Sequence, residues 1–118
     1  MCIRDRTWFE HPLFAPARAQ PKVSRQLWAM VADYSGWHWY HPDPLVVSQP
    51  PAARRLAAIA VPTLALAGEH DDAEYRRAAE VLAQTVSGAR HGIIPRAGHL
   101  SNLENPAAFN QAVRDFLS

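Results

Sequence analysis

Asp71 and His99 are the two residues of this 118-residue chain whose types and settings suit them to acid-base chemistry as a pair. Each stands in a turn that follows a short apolar run. Val61-Pro62-Thr63-Leu64-Ala65-Leu66-Ala67-Gly68 leads into Glu69-His70-Asp71, and His91-Gly92-Ile93-Ile94-Pro95-Arg96-Ala97-Gly98 leads into His99. A histidine titrates near neutrality, so it can take a proton from a nucleophile and return it to a leaving group. A carboxylate beside it fixes the ring tautomer and stabilises the imidazolium that forms. Taken singly, each residue has a plainer reading. Asp71 is also a candidate helix cap, with Asp72 competing for either role, and a Gly-His step in a loop is commonly a surface histidine. Glu69, His70 and His91 carry no assigned chemistry and read first as surface or strand positions.

The elements that must position the pair can be read from hydrophobic periodicity. Val61 to Ala67 is a nearly continuous apolar run, expected to be a strand buried on both faces in a parallel sheet. A helical pattern follows, with Asp71 or Asp72 at its start, Tyr75, Ala78, Ala79, Leu82 and Val86 on one face, and Ser87-Gly88 at its end. Arg90 to Ile94 reads as a second short strand bounded by Pro95. Asn105 is expected to cap a last helix with Pro106 at its first position and Phe109, Val113, Phe116 and Leu117 as its buried stripe. Loops after neighbouring parallel strands meet at the carboxyl edge of an open α/β sheet, which would bring Asp71 and His99 to one edge.

Upstream, the prolines of Thr7 to Pro21 predict a loop with at most a helical turn near Trp8 to Leu13. Val23, Leu27, Met30, Val31 and Tyr34 then predict an amphipathic helix over residues 22–34. Gly36-Trp37-His38-Trp39-Tyr40-His41-Pro42 is dense in aromatic rings. Residues 52–59 suggest a short helix with Ser48 or Gln49 near its cap and Leu56 and Ile59 on one face.

Val61-Pro62-Thr63-Leu64, Gly68 to Asp71, Gly98-His99, Glu104-Asn105-Pro106 and Phe116-Leu117, in this order, resemble the C-terminal half of α/β-hydrolase-fold proteins. The resemblance covers residues 61–118. It implies an α/β fold of truncated type: two parallel strands with flanking helices, preceded by a helical lid remnant, with residues 7–50 as lid and 51–118 as core. It also implies that His99 is the general base, Asp71 its orienting acid and Glu104 a structural hydrogen-bonding residue in the turn before the last helix. Trp37, His38 and Trp39 would belong to the lid. There they could line a substrate pocket, as ligand sites are often aromatic, or simply pack the lid on the core.

The family's nucleophile has no counterpart here. None of Ser24, Ser35, Ser48, Ser87, Ser101 and Ser118 lies in Gly-x-Ser-x-Gly, and no Gly-rich loop offers oxyanion-hole donors. Residues 1–6, Met-Cys-Ile-Arg-Asp-Arg, match the translated end of a transposon used to prepare sequencing libraries. The expectation is therefore a C-terminal fragment, inactive alone, of a hydrolase acting on an ester, lactone or related carbonyl substrate. The alternative is a non-catalytic binding or interaction module. A two-stranded sheet with apolar faces would also leave an open edge suited to association.

The formal net charge of +1, without clustered Lys or Arg, provides no footprint for nucleic acid, and no apolar run is long enough for a membrane helix. Cys2 is the only cysteine, so a disulfide framework within the chain is excluded. These features fit a cytoplasmic protein with a small-molecule substrate and no cofactor, since acyl transfer of this kind needs only side chains and water. His38 and His41 have a metal-compatible spacing, which His70 could extend, but further ligands are missing nearby and no metal site is expected.

Overall fold

The computed structural model describes residues 3–42, 46 and 49–118, and for His38 and Trp39 the backbone only. Met1, Cys2 and Ser48, the last named above as a possible cap, lie outside the described residues.

The N-terminal segment is more helical than its prolines suggest. It consists of α1 (Ile3–Phe9), a 3-10 turn (Pro12–Phe14), α2 (Ala15–Arg18) and α3 (Pro21–Asp33). The expected loop over residues 7–21 is thus corrected. Each of the three elements after α1 carries its proline at one of its first two positions, where the missing N–H would have had no helical partner anyway. His11 Nδ1 accepts from the Leu13 N–H, and the Arg18 guanidinium donates to the carbonyls of Phe9 and His11, closing the connection between α1 and α2.

Phe14, Ala17, Val23, Leu27 and Val31 form a buried cluster between these elements. Val23, Leu27 and Val31 are the i, i+4, i+8 stripe of α3. Met30 and Tyr34, expected on the same face, are exposed, because the cluster covers a stripe only one side chain wide. Leu100 and Leu103 pack against this cluster from the far end of the chain. A short helix, α4 (Trp37–Tyr40), follows, entered through Gly36 at φ 70°.

A 3-10 helix (Ala52–Ala58) has Pro51 at its cap without a side-chain hydrogen bond, so Gln49 does not perform the role expected of it. The core then runs β1 (Leu64–Gly68), α5 (Ala73–Thr85), β2 (Arg90–Ile94), α6 (Ser101–Glu104) and α7 (Pro106–Leu117). The strands are parallel, pairing Leu64 with Arg90 through to Gly68 with Ile94. Asp72 caps α5 by accepting the Glu74 N–H, and Asn105 caps α7 by accepting the Ala108 N–H. Val86 is buried at the C-cap of α5, and Gly88 at φ 72° turns the chain into β2.

Burial is thinner than the apolar runs suggest. Ala65 and Ala67 are buried, while Leu64 and Leu66, on the opposite face by strand alternation, are half-buried, so β1 is not sealed on both sides. Tyr75 on α5 is exposed, and no residue of α5 or α7 is fully buried. Arg90 lies over the Phe116 ring at 5.3 Å and seats α7 on the sheet. Each strand has one hydrogen-bonded partner among the described residues, which leaves one backbone edge of β1 and one of β2 unpaired there.

Candidate active site

The loops that follow β1 and β2 are bound together by hydrogen bonds that extend the strand ladder beyond its last pair. The Glu69 N–H donates to Ile94 O at 2.9 Å and the His70 N–H to Ala97 O at 2.8 Å. The Glu69 carboxylate returns across the gap and accepts the Arg96 N–H at 2.8 Å. Arg96 sits at φ 55°, a conformation that L residues other than Asn, Asp and His seldom adopt, and this hydrogen bond helps hold it there. Gly68 is where the loops approach most closely. A Cβ at that position would collide with the carbonyls of Ala97 and Gly98, so only glycine permits the contact. The sequence assigned Glu69 no role. Its function as a brace depends on the spacing between two loops 27 residues apart, which no local pattern reports.

Asp71 and His99 meet across this junction. The His99 Nδ1–H donates to Asp71 Oδ1 at 3.1 Å, with Oδ2 at 3.3 Å. Asp71 Oδ1 also accepts the Asp72 N–H at 2.8 Å, and the Asp71 N–H donates to Gly68 O, so backbone contacts orient the carboxylate before the histidine is considered. The two adjacent aspartates have divided their candidate roles. Asp72 caps the helix, and Asp71 faces the imidazole. A carboxylate only accepts, so the shared proton resides on Nδ1 and Nε2 is left as the basic nitrogen of the neutral ring. Tyr75 lies against the imidazole with ring centroids 4.5 Å apart, and Phe14 meets it edge-on at 6.2 Å. The Asp71 side chain is 7% exposed and that of His99 28%, an acid under cover beside a base that reaches solvent.

Glu104 is buried. Its Oε2 accepts the Gly98 N–H at 2.6 Å and its Oε1 the Leu100 N–H at 3.0 Å, so one carboxylate holds the backbone on both sides of His99. This gives specific partners to the hydrogen-bonding role expected of it. A cavity of about 560 Å³ opens beside Asp71, between the N-terminal segment and the start of α5, with His11, Leu13, Pro16, His70, Asp72 and Tyr75 among its walls.

Of the three residues expected to line a pocket from the lid, Trp37 is placed apart from that cavity. Trp37 is half-exposed and stacks on His41 at 4.5 Å, and the His41 Nδ1–H donates to Trp37 O at 2.7 Å. Trp37 does not line the cavity beside Asp71. The side chains of His38 and Trp39 lie outside the described part of the structure. Among the described residues, no group of three or more His, Cys, Asp or Glu side chains is placed to hold a metal ion, and no helix is long and apolar enough to cross a membrane.

No family model matches the chain. Among solved structures it is similar to a hydrolase from Pseudomonas aeruginosa PA01, at 33% identity and a TM-score of 0.74 over 97% of this chain and 43% of that one. It is also similar to Est816, an N-acyl homoserine lactone degrading enzyme, at 25% identity and a TM-score of 0.68 over 98% of this chain and 52% of that one. The chain thus spans about half the length of the structures it matches. Two parallel strands, the helices that flank them and these two likenesses identify the chain as having the fold of the C-terminal part of an α/β-hydrolase.

Proposed function

We propose that this chain supplies the acid and the general base of a hydrolase that cleaves an ester, lactone or related carbonyl substrate through a nucleophile, a histidine and an acid. The observation that carries this reading is the 3.1 Å hydrogen bond from His99 Nδ1 to Asp71, made at the ends of two parallel strands. In the reaction, Nε2 of His99 takes the proton of the attacking hydroxyl and later returns it to the leaving oxygen. Asp71 keeps the ring in the productive tautomer, stays ionised and stabilises the imidazolium. The similarity to a lactone-degrading enzyme supports a cyclic or linear ester carbonyl as the substrate class.

The chain holds no Gly-x-Ser-x-Gly turn, so the nucleophile and the oxyanion donors have to come from another polypeptide segment. The test is a chimera that joins the unmatched N-terminal part of the Pseudomonas aeruginosa hydrolase to residues 7–118, assayed on aryl esters and acyl lactones. The chimera is expected to turn over substrate while the isolated chain does not. Asp71→Asn is expected to lower kcat by roughly 10⁴-fold, as expected for a misdirected tautomer. A folded chimera whose activity survives His99→Ala would end the proposal.

A further inference from the structure

We infer that Glu104 is a positioning residue for His99: its carboxylate sets the imidazole towards Asp71 and ties that alignment to the N-terminal helical segment. The inference rests on the pairing of Asp71 with His99 proposed above. Glu104 is the one charged residue among the described residues that is buried as a whole, and both its oxygens are used, one on the N–H before His99 and one on the N–H after it. A carboxylate that accepts from residues 98 and 100 fixes both ends of the short stretch whose dihedrals aim the ring at residue 99. An amide cannot replace it, because one of its two terminal atoms is a donor and would face an N–H.

The anchor continues beyond Glu104. It ends α6, whose flanking Leu100 and inner Leu103 pack on the cluster of Phe14, Val23 and Leu27. Pro16 of α2 also closes on Gly98. A Cβ on Gly98 would stand 2.7 Å from the Pro16 ring and 3.3 Å from Glu104 Oε2. Packing in the N-terminal helices therefore reaches the histidine directly through the Phe14 ring and, through its backbone, by way of a buried carboxylate and a glycine with no room for a side chain.

The experiment uses the whole 118-residue chain labelled with 15N. Long-range nitrogen-proton correlations, at a pH where the ring is neutral, read the ratio of the Nδ1–H to the Nε2–H tautomer of His99. The wild-type ratio is expected to favour Nδ1–H, and Asp71→Asn to reverse that preference. Glu104→Gln is expected to lower the ratio about tenfold, the size of one lost hydrogen bond to a charged group. Glu104→Asp, which keeps the charge on a shorter arm, is expected to move the ratio in the same direction. Val86→Ala, which opens the core far from the loop, is expected to lower stability and leave the ratio alone. If Asp71→Asn leaves the ratio unchanged, the pairing fails and this inference falls with it. If Asp71→Asn reverses the ratio while both Glu104 variants keep the wild-type value, Glu104 serves stability alone and only this inference is overturned.

Discussion

Adjacent aspartates with the same chemistry perform different tasks here because the backbone presents them differently. Asp72 accepts the Glu74 N–H from within the first turn of α5, whereas Asp71 is held by the Asp72 N–H and faces His99. The two should separate cleanly by mutation. Asp72→Ala is expected to destabilise the chain by about 1 kcal/mol through the lost cap, measured by urea unfolding, and to leave the His99 tautomer unchanged. Asp71→Asn is expected to do the reverse, changing the tautomer at little cost in stability. Gly68→Ala tests the junction itself. The added methyl would meet two carbonyl oxygens that cannot yield without parting the loops, so a loss of about 3 kcal/mol or more is expected. The cross-loop hydrogen bonds of His70 and Arg96 should lose their protection from amide exchange in that variant.

At the scale of elements, the helices around the sheet are held more by their ends than by their faces. Neither α5 nor α7 buries a residue fully, yet each has a side-chain cap, and Asn105 also donates from Nδ2 to Pro95 O, linking α7 to the turn after β2. Asn105→Ala removes the cap and that link together and is expected to cost about 2 kcal/mol, at the upper end for a cap, as measured by urea unfolding. The edges of β1 and β2 that have no partner among the described residues, and the exposed Ile93, describe an element suited to accept another strand. If they do so in solution, sedimentation should show self-association that weakens when Ile93 is replaced by Lys, a residue that blunts sheet edges.

For the molecule as a whole, the buried hydrophobic cluster among the described residues lies in the N-terminal helices, and Leu100 and Leu103 connect it to the part of the chain that holds the sheet. Leu27→Ala is expected to destabilise the chain by about 2–5 kcal/mol in urea unfolding and, through α6, to broaden the signals of the His99 loop as well. The sequence by itself determined the parallel strand pair, the helix between the strands, the cap of α7 and the candidacy of Asp71 and His99. The elements and the cap depend on local periodicity and turn residues, readable within a window of a few residues, and the candidacy of the pair on the order of short motifs across residues 61–118. It misread the proline-rich N-terminal segment as a loop, since proline breaks a helix interior but suits a helix start, and only the folded chain decides which position each proline takes. It likewise overestimated the burial of β1, α5 and α7, because an apolar run records what a surface could cover and not what is present to cover it. The brace by Glu69, the requirement for glycine at Gly68 and the double grip of Glu104 on the backbone around His99 were decided by tertiary structure. Each is a close approach to backbone groups, by a carboxylate or by a Cα, that folding creates, and such approaches leave no periodic trace in the chain.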